Sequence, residues 1–547
     1  MSTSPPTTET ARDPRRWLVL AVMSVGTLIV FLDGTVINTA LPNISTKLSA
    51  STSQLQWVVD AYILVLAGLL LLGGTIGDRF GRKRWMSIGL TIFAAGSVLG
   101  GLSNTIETLI VARAVQGLGA ALVLPATLSI VTNVFARDER AKAIAIWTAV
   151  GGLGVGIGPA VGGYLVEHWD YSAAFWIHVP ILALAGIGMF FVAESRDTRT
   201  VGLDVRGAIA GTLAVASLVY GIIQGGESGW ASREIVLALV ISAASFVAFV
   251  LVERRAEFPM LPLRFFRQRD FTGSVVSLGI VFFAGIVLFF FLSQYWQLVQ
   301  GRSPLRAGLM ALPNAAAIIT GSGVAQALLS RLGPRRIVST AMVIMGIGVA
   351  LFTTVDAGTS TLRMIASLMV VGFGFGLAAQ PLTDTVMAAV PVEDAGVGSA
   401  VNDVSRELGS ALGVAIIGSI ISHFYRSGID NRLTGRVPGS VIDIAREGIG
   451  VTPVAAKSLD PAIAARVIAG ADTAFVDAMT KGFWISVGFI AVGLITSLTM
   501  LPKHVRETQM VRSADELGIA HTVAHHSIPA GGLGGAEAGA LVLEAAE

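Results

Sequence analysis

Cysteine is absent from the 547 residues, and charged residues make up only 14% of them. Without cysteine the chain has no disulfide framework, no thiolate metal ligand and no cysteine nucleophile. The low charged fraction, set against 53% hydrophobic residues, does not fit a water-soluble globular protein of this length. These two shortages indicate a chain whose solvent is a lipid bilayer.

Lysine is also scarce, since only 6 of the 38 basic residues are lysines. The arginines occur in short clusters between apolar runs, so the sequence implies no nucleic-acid-binding face. No Gly-Lys dipeptide occurs, which excludes a P-loop and therefore ATP hydrolysis by this chain. No nucleophile and base pair or metal-ligand cluster is recognisable either, so we expect neither an enzyme nor a cofactor nor a metal site.

Apolar runs of about 20 residues, the length that crosses a bilayer, are what the chain has in abundance. The first is too long for the core of a signal peptide, and we interpret it as a retained span. We predict fourteen spans, near 17–41, 57–77, 85–103, 108–132, 142–166, 174–193, 206–224, 235–253, 272–296, 306–328, 336–355, 361–388, 398–423 and 479–501. This even number places both termini on the same side of the membrane.

The distribution of arginine and lysine predicts which side that is. Basic residues concentrate in the N-terminal tail and in alternate loops, at 79–84, 137–142, 196–206, 254–269 and 331–336. Because cytoplasmic loops carry the excess of basic residues, both termini are predicted to be cytoplasmic. The loop near Glu393 and Asp394 has no basic residue and departs from this pattern.

A weak internal repeat connects the two halves of the chain. GTIGDRFGRKR, from Gly74 to Arg84, has a counterpart 252 residues later in QALLSRLGPRR. Three positions keep the same residue in both copies, namely Arg79 and Arg331, Gly81 and Gly333, and Arg84 and Arg336. Transporters built from related halves show duplications of this kind.

Four motifs in sequence order resemble those of one family. FLDGTVINTALP (Phe31 to Pro42) is similar to a first-helix motif, GTIGDRFGRKR to a signature loop, LIVARAVQGLGAA to a fourth-helix arginine motif, and GVGIGPAVGGY to a fifth-helix motif of exporters. The chain therefore resembles the major facilitator superfamily, and within it the 14-helix drug:proton antiporters. The second half matches more loosely, through its degenerate loop and NDVSRELGSALGVAIIGS.

This resemblance implies an all-α, polytopic membrane protein with the major facilitator fold. Its 14 transmembrane helices would form two six-helix bundles with two inserted central helices. The expected domains are a cytoplasmic tail at 1–16, a first bundle at 17–193, the inserted helices at 206–253, a second bundle at 272–501 with an external loop at 425–478, and a disordered cytoplasmic tail at 502–547.

The signature loop implies a conformational latch. By resemblance its members are Gly74, Asp78, Arg79, Gly81 and Arg82. The aspartate stands at a helix end with cations close behind it, so it can pair with an arginine or cap the N-terminus of a neighbouring helix. The alternative is that the cations only set the topology by attracting anionic lipid.

The fifth-helix motif contributes Gly154, Gly158, Pro159, Gly162 and Gly163. Glycines at intervals of four leave one helix face without side chains, and the proline removes a backbone donor. A neighbouring helix can then approach closely. The alternative to a role in transport is that these residues serve ordinary tight packing. What the resemblance adds is the direction of transport, since this motif is associated with export.

Ionisable residues inside predicted spans are functional candidates because burying a charge in a bilayer is costly. At about 1.5 Å per residue, Asp33 of span 1, Asp60 of span 2 and Arg113 of span 4 all fall in the outer half of the membrane. One cation near two carboxylates suits a proton-coupled carrier. Asp60 is close enough to the surface to be merely hydrated. His178, where the family usually has asparagine, is expected to be a satisfied polar group.

The second half offers Arg406 and Glu407 as adjacent residues of span 13. Neighbours on a helix point about 100° apart, so the two cannot face the same partner. Either one of them faces a cavity and takes part in coupling, or they belong to a neutralising cluster with Asp403 and Asn402.

The function that these features predict is proton-coupled efflux of amphiphilic or cationic drugs or antibiotics by alternating access, with Asp33 as the carboxylate that carries a proton or a cation. An exporter of an endogenous lipid or secreted metabolite with the same coupling is the alternative. The expected partners are a small-molecule substrate, protons and membrane lipids, and no nucleic acid. We expect a monomer in the bacterial cytoplasmic membrane.

Overall fold

Helices make up nearly all of the computed structural model, which describes residues 14–135, 137–196, 204–256, 259, 261, 263–390, 395–457 and 459–503. No strand occurs in these ranges. The α-helices are α1 (Arg16–Leu48), α2 (Thr52–Phe80), α3 (Arg82–Leu102), α4 (Ile106–Val134), α5 (Arg137–His168), α6 (Ala173–Trp176), α7 (His178–Gly188), α8 (Val205–Ser228), α9 (Arg233–Arg255), α10 (Arg269–Gln294), α11 (Pro304–Phe352), α12 (Thr361–Ala388), α13 (Ala395–Leu433), α14 (Gly439–Glu447), α15 (Thr452–Ala456) and α16 (Pro461–Met500).

Thirteen helical segments of the described chain are long and apolar enough to cross a membrane. One of them, α11, has 49 residues, which at about 1.5 Å per residue is roughly twice the thickness of a bilayer core. Gly333 interrupts it with φ 75° and ψ 161°, so this segment is long enough for two crossings with a break between them. The predicted all-α membrane fold is confirmed, and the helices are compatible with fourteen spans.

The chain packs as two groups of helices with a pair of helices beside them. The first group is α1 to α7, and the second contains α10 to α13 and α16. Of the remaining pair, α8 and α9, the first contacts both groups. It donates from Thr212 Oγ1 to the Gly68 carbonyl of α2 over 3.1 Å, and its Ile222 carbonyl accepts from Ser419 Oγ of α13 over 2.7 Å.

The two groups touch one another on the side of the molecule away from the start of α1, which we call the distal side. Gln56 Nε2 of α2 donates to the Val414 carbonyl of α13 over 2.7 Å. Leu305 N of α11 donates to Glu167 Oε2 of α5 over 2.9 Å. These contacts close the distal side.

The region predicted as an external loop, 425–478, contains more helix than the sequence indicated. The α13 helix continues to Leu433 and α16 begins at Pro461, so only residues 434–460 connect them, and these include α14 and α15. A hydropathy pattern detects the part of a helix that crosses the bilayer but not its extension into water. Most of both predicted tails, at 1–13 and 504–547, and the loop at Glu393 and Asp394 lie outside the described residues.

Candidate functional site

Asp33 of α1 and Arg113 of α4 form an ion pair in the interior of the first group of helices. Arg113 Nη1 donates to both carboxylate oxygens of Asp33, over 2.9 and 2.7 Å. The two side chains are only 2% and 1% exposed. A single buried charge would be strongly unfavourable, so each residue here compensates the charge of the other.

Two neighbouring helices fix the orientation of the arginine. Its Nε donates to the Val58 carbonyl of α2 over 3.0 Å, and its guanidinium lies 4.3 Å from the centre of the Tyr62 ring. Its Nη1 also donates to Gln116 Oε1 over 2.8 Å, and Gln116 Nε2 donates to Ser97 Oγ of α3 over 2.9 Å. A network of this kind holds a planar guanidinium in one orientation.

Sequence reasoning did not identify Gln116, Ser97 or Tyr62 as members of this site. A signal was available for Gln116, because it follows Arg113 by three residues, and residues three apart on a helix lie side by side. Nothing in the sequence indicated which residues of α2 and α3 would face the arginine. That depends on how the helices are rotated about their axes.

Asp60 is fully buried in α2, but the structure does not bring it to Arg113. Neither of its carboxylate oxygens has a hydrogen-bond partner in the described part of the chain. Val58 and Tyr62, which contact the arginine, are each two residues away and therefore lie on roughly the opposite helix face. Gln56, one turn earlier, shares the face of Asp60 and bonds to α13. The arginine therefore pairs with one carboxylate, not with the two that its depth suggested.

The titratable side chain that lies next to Asp33 is His178, and not Asp60. The imidazole is 1% exposed, and its Nδ1 is 3.8 Å from Asp33 Oδ1, which is beyond hydrogen-bond distance. Neither ring nitrogen has a hydrogen-bond partner among the described residues. The prediction that this histidine is a satisfied polar group is therefore wrong. Leaving a buried polar group unpaired costs about 1–3 kcal/mol, so the position is an expensive one for a residue with only a packing role.

In the second half, Arg406 contacts an aromatic ring and an aspartate. Its guanidinium lies 4.6 Å from the centre of the Phe282 ring. Its Nη1 is 3.6 Å from Asp403 Oδ1, which also accepts a 3.4 Å hydrogen bond from Asn402. This is the neutralising cluster that the sequence offered as an alternative for Arg406. Glu407 is half-buried on the same helix.

The signature loop forms an ion pair within itself. Asp78 Oδ1 accepts from Arg82 Nε over 2.7 Å and from Ser129 Oγ of α4 over 3.1 Å. Of the two arrangements that the sequence allowed for Asp78, the structure shows pairing with an arginine. Gly74 packs close to α4, where a Cβ would lie 3.4 Å from Pro125, while Arg79 stacks on its neighbour Phe80.

Glu194, at the end of the sixth span, caps the N-terminus of α3. Its carboxylate accepts from the backbone N–H groups of Lys83 and Arg84 over 3.1 and 3.2 Å. Gly81 has φ 115°, and a Cβ there would lie 2.9 Å from the same carboxylate. Both the left-handed backbone and the lack of space therefore require glycine at this position.

The second copy of the repeat is anchored in a similar way. Gly333 also has a positive φ, 75°. The following helical turn bonds to the chain just after the final span, through Arg335 N and the Pro502 carbonyl, at 3.2 Å. In the first copy, Arg82 N bonds to the Ser195 carbonyl just after the sixth span, at 3.0 Å. The two halves thus share an anchoring arrangement as well as a sequence repeat.

Replacing Glu194 by alanine is expected to lower the free energy of unfolding by about 1 kcal/mol, because a carboxylate cap at a helix N-terminus contributes about 0.5–2 kcal/mol. Thermal unfolding of the purified protein in detergent measures the change. Glu194→Gln is the matched variant, because it keeps an acceptor oxygen and loses the charge that interacts with the helix dipole. If alanine and glutamine both leave the unfolding temperature unchanged, the cap makes no energetic contribution.

The fifth-helix glycines face α1 on either side of Asp33. A Cβ on Gly154 would lie 3.0 Å from the Leu28 carbonyl oxygen, and one on Gly162 would lie 2.9 Å from the Val36 carbonyl oxygen. Between them, a Cβ on Gly158 would overlap the Thr35 hydroxyl. The glycine face of α5 is therefore packed against the segment of α1 that carries Asp33.

The other side of the same motif faces the second group of helices. A Cβ on Gly163 would overlap the Pro304 carbonyl of α11. A Cβ on Gly308 of α11 would overlap the Pro159 carbonyl. One motif therefore joins the helix of Asp33 to the contact that closes the distal side.

Comparison with known proteins identifies the family. Residues 23–414 match the profile of the Major Facilitator Superfamily. The chain belongs to the major facilitator superfamily. It is accordingly a multi-pass membrane transporter of small molecules, and not an enzyme.

Among curated members of the superfamily, the chain is similar to several resistance proteins. It is 34% identical to multidrug resistance protein Stp of Mycobacterium tuberculosis (strain CDC 1551 / Oshkosh), over 78% of this chain and 79% of that protein. It is 35% identical to multidrug efflux pump LfrA of Mycolicibacterium smegmatis, over 86% of this chain and 93% of that protein. It is 36% identical to puromycin resistance protein pur8 of Streptomyces alboniger, over 75% and 82%.

Solved structures with the same fold include a bacterial homologue of the lysosomal transporter Spinster in an inward-facing, unoccupied conformation. That structure is 17% identical to this major facilitator protein, with a TM-score of 0.59 over 90% of this chain and 99% of the other. The likeness at this identity concerns the fold alone.

Proposed function

We propose that this transporter exports amphiphilic or cationic drugs and antibiotics across the bacterial cytoplasmic membrane in exchange for protons. The observation that carries the proposal is the buried pair of Asp33 and Arg113, in a chain whose relatives are named for multidrug efflux and antibiotic resistance. We further propose a monomer with both termini in the cytoplasm, which makes the distal side the outer one.

Asp33 is the group at which a proton and a cationic cargo compete. While it is ionised, its attraction to Arg113 holds α1 and α4 together at a site where both side chains are buried. A proton that binds the carboxylate removes this attraction, and a cationic cargo that approaches it weakens the attraction by competition. Either event changes the relative free energies of the conformations between which the carrier alternates.

The other motifs connect this local change to the movement of the halves. The face of α5 packed on the α1 segment around Asp33 belongs to the helix that contacts α11 on the distal side. We propose that a shift of α1 is transmitted through α5 to this contact. The pairs that Asp78 makes with Arg82 and Ser129 serve as a latch that forms in one conformation and breaks in another.

Asp33→Asn is expected to abolish proton-driven export, because asparagine neither carries a charge nor takes up a proton. The measurement is accumulation of a fluorescent cationic dye in a pump-deficient bacterial host, with and without a proton uncoupler. The wild-type protein should lower accumulation until the uncoupler is added, and the variant should resemble the host without the protein.

Asp443→Asn is the matched control, since this aspartate is 70% exposed on α14. Export that persists in Asp33→Asn with its uncoupler sensitivity intact would show that another group carries the proton. If the wild-type protein changes accumulation of neither cationic nor neutral drugs, drug export is excluded, and an endogenous lipid or secreted metabolite becomes the favoured cargo.

A further inference from the structure

His178 is a buried titratable residue that the proposed exchange at Asp33 leaves without a role. It begins α7, and its ring packs edge-on against Phe93 of α3 with the ring centres 5.7 Å apart. Its Nδ1 is directed at the Asp33 carboxylate at 3.8 Å, and both ring nitrogens are without hydrogen bonds in the described chain. A shift of about one ångström would bring Nδ1 into hydrogen-bond range of the carboxylate.

The charged and titratable groups around this imidazole are few. Asp33 faces it from α1 and Arg113 acts on it from α4. From α3 it meets the uncharged Phe93, and the ring of Tyr62 on α2 contacts both Phe93 and Arg113. The two charged residues that face His178 are therefore the two members of the ion pair.

A proton has two alternative positions in this arrangement. Asp33 and Arg113 neutralise one another, so one added proton gives the site a net charge of plus one whichever residue holds it. On Asp33 the proton leaves the arginine without its counter-ion, whereas on His178 it leaves the carboxylate paired with two cations. Since the two states have the same charge and their acceptor atoms are 3.8 Å apart, they differ by one short proton transfer.

We propose that His178 shares the coupled proton with Asp33, so that the acceptor is a carboxylate and imidazole pair and not one carboxylate. This inference rests on the proposed proton-coupled function. A proton from water binds Nδ1 of His178 or Oδ1 of Asp33, passes between them, and leaves to water on the opposite side after the carrier has changed conformation. Only N–H and O–H bonds form and break in these steps.

The residue type at position 178 gives the proposal its sharpest test. Asparagine is also polar and uncharged, but it is smaller and has no basic nitrogen that can accept a proton near neutral pH. His178→Asn therefore preserves a polar side chain while removing the second acceptor. His178→Gln is the second variant, because its longer side chain supports the fold if asparagine leaves a gap.

The first measurement is the pH profile of dye transport in proteoliposomes that contain the full-length protein. We expect the midpoint of the profile to move in both variants, because the carboxylate is then the only acceptor left at the site. An unchanged midpoint in a folded, active variant would overturn the proposal, as it would show that His178 only fills space.

The second measurement does not depend on the cargo. Nitrogen-15 NMR of histidine-labelled protein in detergent follows the titration of each imidazole, and the signal lost in His178→Asn identifies this one. We expect Asp33→Asn to change the His178 titration and leave unchanged that of His423, an exposed histidine on α13.

The two measurements distinguish a failure of the shared-proton proposal from a failure of the drug-export proposal. A His178 signal that does not respond to Asp33→Asn contradicts proton sharing, whatever the cargo is. A responsive His178 signal in a protein that exports no dye would contradict drug export and leave the shared proton site standing.

Discussion

Arg113→Ala is expected to abolish transport and to lower the free energy of unfolding by about 3–5 kcal/mol, the usual effect of removing one partner from a buried ion pair. The variant leaves the Asp33 carboxylate in a site where it is only 2% exposed. It also removes the donors to the Val58 carbonyl and to Gln116. Thermal unfolding in detergent and dye efflux from cells measure the two effects.

The double variant Asp33→Ala/Arg113→Ala distinguishes an unpaired charge from lost packing. Because it removes both charges, we expect it to be more stable than Arg113→Ala alone, although equally inactive. Arg113→Lys keeps a charge but lacks the planar group that reaches Asp33, Val58 and Gln116 together, so we expect intermediate stability. A single alanine variant that unfolds at the wild-type temperature would contradict the ion-pair interpretation.

The sequence predicts the depth of these side chains better than their direction. The lengths of apolar runs set where each helix enters and leaves the membrane, and this placed Asp33 and Arg113 in the same layer. The same reasoning placed Asp60 there, yet Asp60 turns to the face of α2 that Gln56 uses against α13. The rotation of a helix that is apolar on all sides is decided by packing, which hydropathy does not report.

Contacts made by connecting segments were the least predictable part of the site. The cap that Glu194 places on α3 joins residues about 110 positions apart. The position of His178 depends on the short break between α6 and α7, where Ile177 separates two helices within one span. Neither feature has a local sequence signal. The glycines of α5 are the converse case, since their spacing predicted close helix contact and the structure shows α1 and α11 as the two neighbours.

In the proposed mechanism, the contact between α5 and α11 connects the chemistry of the pair to the conformation of the protein. It is formed between the two groups of helices, so it has to separate whenever the distal side opens. Because Pro159 and Gly308 meet through backbone atoms, no side chain can rotate away to make room for a larger residue. We therefore expect a larger residue at this contact to disfavour the closed form of the distal side.

Gly308→Leu is accordingly expected to favour the form that is open on the distal side. A Cβ at this position would overlap the Pro159 carbonyl oxygen and lie 3.0 Å from Ala160 Cα. Overpacking of this kind costs about 1–3 kcal/mol, and since only the closed form makes the contact, the population shifts by roughly 5- to 150-fold. Transport should fall steeply, because a carrier that cannot close this side does not complete its cycle.

The absence of native cysteine makes the shift directly measurable, because introduced cysteines are the only sites for thiol-reactive spin labels. Labels at Trp169 and Leu362, both exposed, report on the distal side, and labels at Phe80 and Leu332 report on the other. Gly308→Leu should lengthen the first distance and shorten the second. Gly323→Leu is the matched control, because it lies on the same helix with no atom within 4 Å of its Cβ position, so it should change neither distance. Equal distributions in both variants would show that the contact does not control closure.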